Sequence, residues 1–173
     1  EAYEDKRMVD YSAGEISTEE SRELMAALRE ALSTDRYHFY AGVSYRHILL
    51  QKGGEGRHDF TPPHDISGRL IGEYLPKDPA ILELMKRSHQ ILTDHPMGQG
   101  KRPANSIWAW GEGSPIPYPS FQEKYGLRGA VITAVDLLRG IAIGTGMGVI
   151  SVEGATGNKN TNFAGKGEAA IRA

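Results

Sequence analysis

Glycine spacing is the feature that most limits what this chain can fold into. The sequence holds 21 glycines, most of them after Gly98, well above the ~7% that is average for proteins. Glycine enters left-handed turns without steric cost and weakens the interiors of helices and strands. The second half can therefore fold only as short elements joined by tight turns. Between the glycines, Ala130–Thr133 reads as a buried strand, Val135–Ile143 as an apolar helix closed by Gly144, and Met147–Val152 as the next strand. A loop from Gly154 to Thr161 leads to a last helix. Ahead of these, Ser120-Phe121-Gln122-Glu123 is a capping box, and Gly126 stops the short helix it opens.

The first half is written differently. Ser17-Thr18-Glu19-Glu20 is another capping box, opening a helix over Thr18–Leu32 with Leu24, Leu28 and Leu32 on one face. Asp78-Pro79 opens a further helix, Pro79–Leu92, with Asp78 as N-cap. Tyr37–Val43 and Tyr45–Gln51 read as strands with a bend near Gly42, Asn105–Trp110 as another strand, and Arg7–Tyr11 as a short one. Lys52–Arg69 and Thr93–Ala104 are long polar loops with Gly and Pro, the kind that carries function in compact domains. The expected fold is α/β: a mixed sheet of Tyr45–Gln51, Asn105–Trp110, Ala130–Thr133 and Met147–Val152, packed with helices.

Composition removes whole classes of function. A chain of 173 residues can bury about 70% of its surface around one core, so one domain over residues 1–173 is expected. Lys+Arg is 20 against Asp+Glu 22, a net charge of -2, which is not the balance of a nucleic-acid or polybasic membrane protein. With Cys at 0, neither a disulfide framework nor a thiolate metal site exists. No apolar run approaches the ~20 residues of a membrane span. The chain opens on Glu1 and stops in the helical stretch Gly165–Ala173. These ends read as those of a piece cut from a longer protein.

Single motifs carry little. Gly144-Thr145-Gly146-Met147-Gly148 follows a helix and precedes a strand, the reverse of a dinucleotide loop, and reads as a helix-ending turn. Gly98-Gln99-Gly100-Lys101-Arg102 has no Ser or Thr after its Lys and is not a phosphate loop. His38, His47, His58 and His64 fall close together, with Asp59 and Asp65 near, but no pair has metal-binding helical spacing. They read as hydrogen-bonding histidines. Ser44 and His47, three apart, would point to opposite faces of a strand. The cations point further: Arg46 before an apolar strand, Lys101 and Arg102 in a Gly/Pro loop, Arg139 in an apolar helix. Arginine's planar fork suits carboxylates and phosphates. The residues alone leave open a small-anion site or solvated charges.

A longer pattern goes further. Asp10-Tyr11-Ser12-Ala13-Gly14, Ser44-Tyr45-Arg46-His47, Pro62-Pro63-His64-Asp65-Ile66, Pro103-Ala104-Asn105, Trp110-Gly111-Glu112-Gly113 and Phe121 through Leu127 stand in order along the chain. Asp136 through Ala142, Gly146-Met147, Gly154-Ala155-Thr156-Gly157, Thr161-Asn162-Phe163 and Lys166 continue it. Collinear over nearly the whole chain, this pattern resembles the archaeal-type cofactor-independent phosphoglycerate mutases. Tyr11, Ser12 and Glu15 depart from the family's pattern, so no anion contact is assigned to them.

The resemblance implies a longer, two-domain enzyme of the alkaline phosphatase superfamily, in which this chain is the inserted, lid-like substrate domain. Its junctions to the missing core would lie near residues 1–10 and 160–173. It implies interconversion of 3-phosphoglycerate and 2-phosphoglycerate, in the cytoplasm, through a phosphoserine. The nucleophilic serine and two divalent metals, manganese or magnesium, would lie outside this chain, and no 2,3-bisphosphoglycerate is needed. Within the chain it points to Arg46, His64, Asp65, Lys101, Arg102, Asn105 and Arg139 as substrate-binding residues. They would close over glycerate, with Arg46 and the Pro62–Asp65 and Lys101–Asn105 loops lining one cleft. The partners implied are phosphoglycerate and the missing core, with neither nucleic acid nor membrane. The alternatives are a related phosphomonoester enzyme, of the kind labelled homoserine kinase or phosphonopyruvate decarboxylase, and a non-catalytic anion-binding module.

Overall fold

The computed structural model describes residues 2–54, 59–96, 104–157 and 159–173. The element order is α1 (Thr18–Leu32), β1 (Tyr37–Ala41), β2 (His47–Gln51), α2 (Pro79–Asp94), α3 (Phe121–Tyr125), β3 (Ala130–Ile132), α4 (Asp136–Gly144), β4 (Gly148–Ile150) and α5 (Phe163–Arg172). Short 3-10 turns stand at Tyr3–Asp5, Pro63–Ile66 and Gly72–Tyr74. The chain divides into two compact units, Glu1–Ser114 and Pro115–Ala173, where the sequence reading expected one domain. The division falls in the segment running from Gly111 through Pro115, Pro117 and Pro119, whose residues form no helix or strand.

In the first unit, α1 packs on β1 of the β1–β2 hairpin and α2 packs against α1. Ser17 Oγ accepts from the Glu20 amide while the Glu20 carboxylate accepts from the Ser17 amide, closing the capping box. Asp78 accepts from the amides of Ala80 and Ile81 at the start of α2. Leu24, Met25, Leu28 and Leu32 of α1 meet Ile81, Leu84, Met85 and Leu92 of α2 and Tyr37 and Phe39 of β1 in one buried cluster. Period-2 alternation turns Tyr37 and Phe39 inward. It leaves Tyr40, Ile48 and Leu50 exposed on the opposite face.

The second unit has a β3–α4–β4 arrangement, with β3 and β4 pairing in parallel. Gly126 ends α3 at φ 69°, a left-handed cap that a Cβ would strain. Asn162 caps α5 by accepting from the Gly165 amide.

The single mixed sheet expected from the sequence does not form among the described residues. The described residues form two separate two-stranded sheets, β1–β2 antiparallel and β3–β4 parallel. Asn105–Trp110 is not a strand. The Ile107 amide donates to Ser88 Oγ of α2 and the Trp108 indole N–H to the Thr61 carbonyl, so this stretch hangs on side-chain and loop partners instead of a ladder. Arg7–Tyr11 is likewise no strand. One isolated bridge joins Arg7 to Leu70, flanked by Met8–Arg69 and Ile71–Lys6 backbone bonds. Arg46 lies in the turn before β2.

Candidate functional site

Four segments of the first unit converge on one group of side chains. Residues 6–8 bond to residues 68–71 through the Met8–Arg69, Gly68–Met8 and Ile71–Lys6 backbone pairs. This carries the following loop toward the Pro63–Ile66 turn. In that loop, the Asp10 carboxylate accepts from the Ser12 amide, the Ser12 hydroxyl and the Gly14 amide, at 2.8, 2.7 and 2.6 Å. Ala13, Gly14 and Glu15 all take positive φ, 50°, 70° and 57°. Left-handed backbone costs energy for residues other than glycine, and such outliers gather at functional positions. The Asp10 bonds hold this loop and so fix where Tyr11 projects.

The β1–β2 turn is pinned to the same region. Ser44, at φ 56°, donates its hydroxyl to the Ile16 carbonyl at 2.6 Å and its amide to Thr18 Oγ1. Neighbouring Tyr45 and Arg46 are thereby set beside the Asp10 loop. In the Pro63–Ile66 turn, Pro63 and Ile66 are buried, so His64 and Asp65 face outward. The fourth segment is docked by Trp108 on Thr61 and by the Phe60 amide donating to Glu112 Oε1 at 3.2 Å.

The result is a continuous run of rings and charges. The Arg46 guanidinium carbon lies 5.0 Å from the Tyr45 ring centre, within cation–π range. Tyr45 meets Tyr11 edge to face at 5.8 Å, Tyr11 meets His64 at 6.0 Å, and His64 meets Trp110 at 5.4 Å. His64 Nε2 stands 3.6 Å from Asp65 Oδ1. The His64 and Asp65 side chains are 48% and 61% exposed, so their pairing adds little to stability. Among the described residues Arg46 forms no ion pair. A guanidinium without a counter-charge thus stands at one end of an accessible run of rings, and an imidazole with a carboxylate stands two rings further along it. The run can take a carboxylate on the fork and hydroxyl protons on the other two groups.

Asn105 and Arg139 lie apart from this run. Asn105 is exposed, and its carbonyl accepts from His89 Nδ1 at 2.7 Å. It belongs to the contacts of α2, where Tyr3 Oη and Ser106 Oγ also bond, and not to the Arg46–His64 run. Burial pushes the Tyr3 hydroxyl's pKa up. Lys101 and Arg102, with Pro103 and His58, fall outside the described residues. Arg139 is half-buried on α4 of the second unit.

Ser44 and His47 form no dyad, since His47 Nδ1 accepts from the Gly42 amide at 3.2 Å. Burial holds the His47 imidazole below its usual 6.5. Among the described residues no three His, Asp or Glu side chains could hold a metal ion together, and no helix is long and apolar enough to cross a membrane.

Tyr11 and Tyr45, which the sequence reading did not single out, and Trp110, which it read as packing, join Arg46 and His64 in this run. For Tyr11 the sequence offers only the turn chemistry of Asp10-Tyr11-Ser12-Ala13-Gly14, a short acidic residue leading into glycine, which marks a loop and not the rings it meets.

The fold is that of an α/β protein, and the patch sets a guanidinium, an imidazole and a carboxylate on the surface of its first unit. Comparison with known proteins makes this specific. The family model for 2,3-bisphosphoglycerate-independent phosphoglycerate mutase matches residues 1–98, more than half of the chain, and the chain belongs to that family. It is 50% identical over 174 aligned residues to a protein of Geobacter sulfurreducens named as a probable 2,3-bisphosphoglycerate-independent phosphoglycerate mutase, covering 96% of this chain and 44% of that protein. It is 48% identical to the 2,3-bisphosphoglycerate-independent phosphoglycerate mutase of Methanosarcina barkeri, covering 95% and 44%.

Among solved structures, the cofactor-independent phosphoglycerate mutase of Thermoplasma acidophilum superposes with TM-score 0.53 at 26% identity, over 95% of this chain and 46% of that one. The PH0037 protein of Pyrococcus horikoshii shares the fold, with TM-score 0.62 at 24% identity, over 91% and 40%. The chain thus spans less than half the length of the curated relatives it matches.

Proposed function

We propose that the full-length protein interconverts 3-phosphoglycerate and 2-phosphoglycerate without 2,3-bisphosphoglycerate, and that this chain supplies the part that holds the glycerate. The observation that carries the role is the run from Arg46 through Tyr45, Tyr11 and His64 to Asp65. The Arg46 fork takes the glycerate carboxylate, leaving both carbon-bound oxygens free to exchange places. Asp65, or His64 in its neutral form, accepts the proton of the hydroxyl that is about to receive the phosphoryl group. The described residues do not assemble a metal cage. The phosphoryl-accepting serine and the divalent metals, manganese or magnesium, that stabilise phosphoryl charge are assigned to the rest of the polypeptide. The work of these residues is to bind and orient glycerate, keep it from escaping between the two transfers, and exclude water.

The inserted-domain reading is supported by bare apolar surface in the second unit. Leu137 and Ile143 of α4 are each 71% exposed, and among the described residues the buried apolar ones of that unit are Ala142 and Ala169. Parallel strand pairs are almost always covered on both faces. We assign the cover to the phosphatase-like core that the longer relatives have room for.

The test is an assay of the purified full-length protein with 3-phosphoglycerate and no added 2,3-bisphosphoglycerate. Formation of 2-phosphoglycerate is expected. A protein inactive on phosphoglycerate but active on another phosphomonoester would overturn the substrate assignment.

A further inference from the structure

Backbone accounting along β1 exposes a gap. The register pairs Tyr37 with Gln51, Phe39 with Leu49 and Ala41 with His47. The Lys52 amide donates to the Arg36 carbonyl at 2.8 Å, so Arg36 and Lys52 are a hydrogen-bonded pair. Antiparallel ladders alternate bonded and non-bonded pairs. His38 and Tyr40 therefore bond to β2, while Tyr37, Phe39 and Ala41 turn their N–H and C=O groups to the outer edge. Tyr37 closes its own groups locally: its amide donates to Thr34 Oγ1 and its carbonyl accepts from the Thr34 amide. Phe39 and Ala41 have no second strand beside them, because β1 pairs only with β2 among the described residues. Phe39 is 4% exposed, a position where backbone groups ordinarily find partners.

The space beside that edge is shaped and charged. Phe39 and Ala41 line a groove of about 270 Å³ with Arg22, Met25, Ala26 and Arg29 of α1. Arg22 and Arg29 are exposed, and among the described residues neither forms an ion pair. They stand two helical turns apart along the groove. An edge with unpaired donors and acceptors, an apolar floor and flanking cations is the footprint of strand addition.

We infer that β1 takes a third strand along this edge: an extended, acidic segment of the full-length polypeptide lying outside these 173 residues. The curated relatives have the length to supply it, since the chain covers 44% of each of the two compared above. Acidic side chains on that strand would meet Arg22 and Arg29. A second copy of this chain is the poorer occupant, because edge-to-edge pairing through β1 would bring four like-charged arginines together. The inference rests on the backbone and the charges, not on the catalytic reading.

The test is amide hydrogen exchange on the full-length protein, resolved at residues 38 to 41. The amides of Phe39 and Ala41 are expected to exchange on the order of a hundredfold more slowly than unstructured amides, alongside those of His38 and Tyr40, at every protein concentration. The double variant Arg22→Glu with Arg29→Glu is expected to speed exchange at Phe39 and Ala41 about tenfold or more, and to leave His38 and Tyr40 unchanged. Fast exchange at Phe39 and Ala41 in the unaltered protein overturns the third strand. Protection that appears only as concentration rises overturns the intramolecular source in favour of a second copy. Protection that survives the double charge reversal overturns the acidic complement.

Discussion

Tyr11 shows how a residue with no acid–base task can decide whether a site works. Its ring touches both Tyr45 and His64, and each edge-to-face contact is worth about 0.5–1.5 kcal/mol. Tyr11→Phe keeps both contacts and is expected to leave the steady-state kinetics of the full-length enzyme within about twofold. Tyr11→Ala frees Tyr45 and His64 together and is expected to raise KM for 3-phosphoglycerate about three- to tenfold, roughly 0.7–1.4 kcal/mol. Equal kinetics for the two variants would show that the ring does not position the site. Arg46, His64 and Asp65 were proposed from the motifs of the family resemblance, since residue type alone left the cations open and read the histidines as hydrogen-bonding ones. The ring run was not legible, since Tyr11 meets residues far along the chain, and such contacts leave no local periodicity. The strained loop is in the same position: Ala13 and Glu15 carry no sequence mark of positive φ, while Gly14 does.

Among the elements, capped helices were the most legible. Ser17–Glu20, Asp78-Pro79 and Ser120–Glu123 each cap the helix expected from them, because a cap is a contact among neighbours in sequence. The leucine stripe of α1 was equally plain, and Leu28, 1% exposed, sits at its centre. Leu28→Ala is expected to destabilise the first unit by about 3–5 kcal/mol, read by denaturant unfolding at constant slope. Strands were harder. Asn105–Trp110 ends in an apolar run that reads as a strand, yet Ser88 and Thr61 take its hydrogen bonds.

The β1–β2 hairpin also carries a pH response. Burial depresses the His47 pKa from its usual 6.5, so the unfolded chain takes up that proton first as pH falls. The stability His47 contributes is complete above about pH 6.5 and is lost as pH drops through the lower folded value. His47→Asn can still accept from the Gly42 amide but does not titrate. The stability difference between the variant and the unaltered protein is expected to shift in the variant's favour between about pH 7 and pH 5. A difference that is constant with pH would refute this.

At the scale of the molecule, the two units differ in how complete they are. The first has a ten-residue buried cluster. In the second, Leu137, Ile143, Phe163 and Ile171 are 71%, 71%, 69% and 88% exposed. The single mixed sheet expected from the sequence does not form, because three-residue strands such as β3 and β4 are short even for a core strand, and the apolar runs that suggested them say nothing about which strands lie beside them. If the rest of the polypeptide covers α4, Leu137→Asp in the full-length protein should cost more than about 2 kcal/mol of stability by burying a charge, despite favouring the start of a helix. A change within about 0.5 kcal/mol, as for an open surface position, would mean that face stays bare.

The claim on which the account turns is that this piece of a mutase grips its substrate through Arg46. The most direct measurement is kcat/KM for 3-phosphoglycerate in full-length Arg46→Ala, beside its thermal unfolding. Loss of a charge-assisted bond of about 1.5–3 kcal/mol predicts a fall of roughly tenfold to a hundredfold in kcat/KM with an unchanged melting temperature. Unaltered kcat/KM in a fully folded Arg46→Ala enzyme would contradict it.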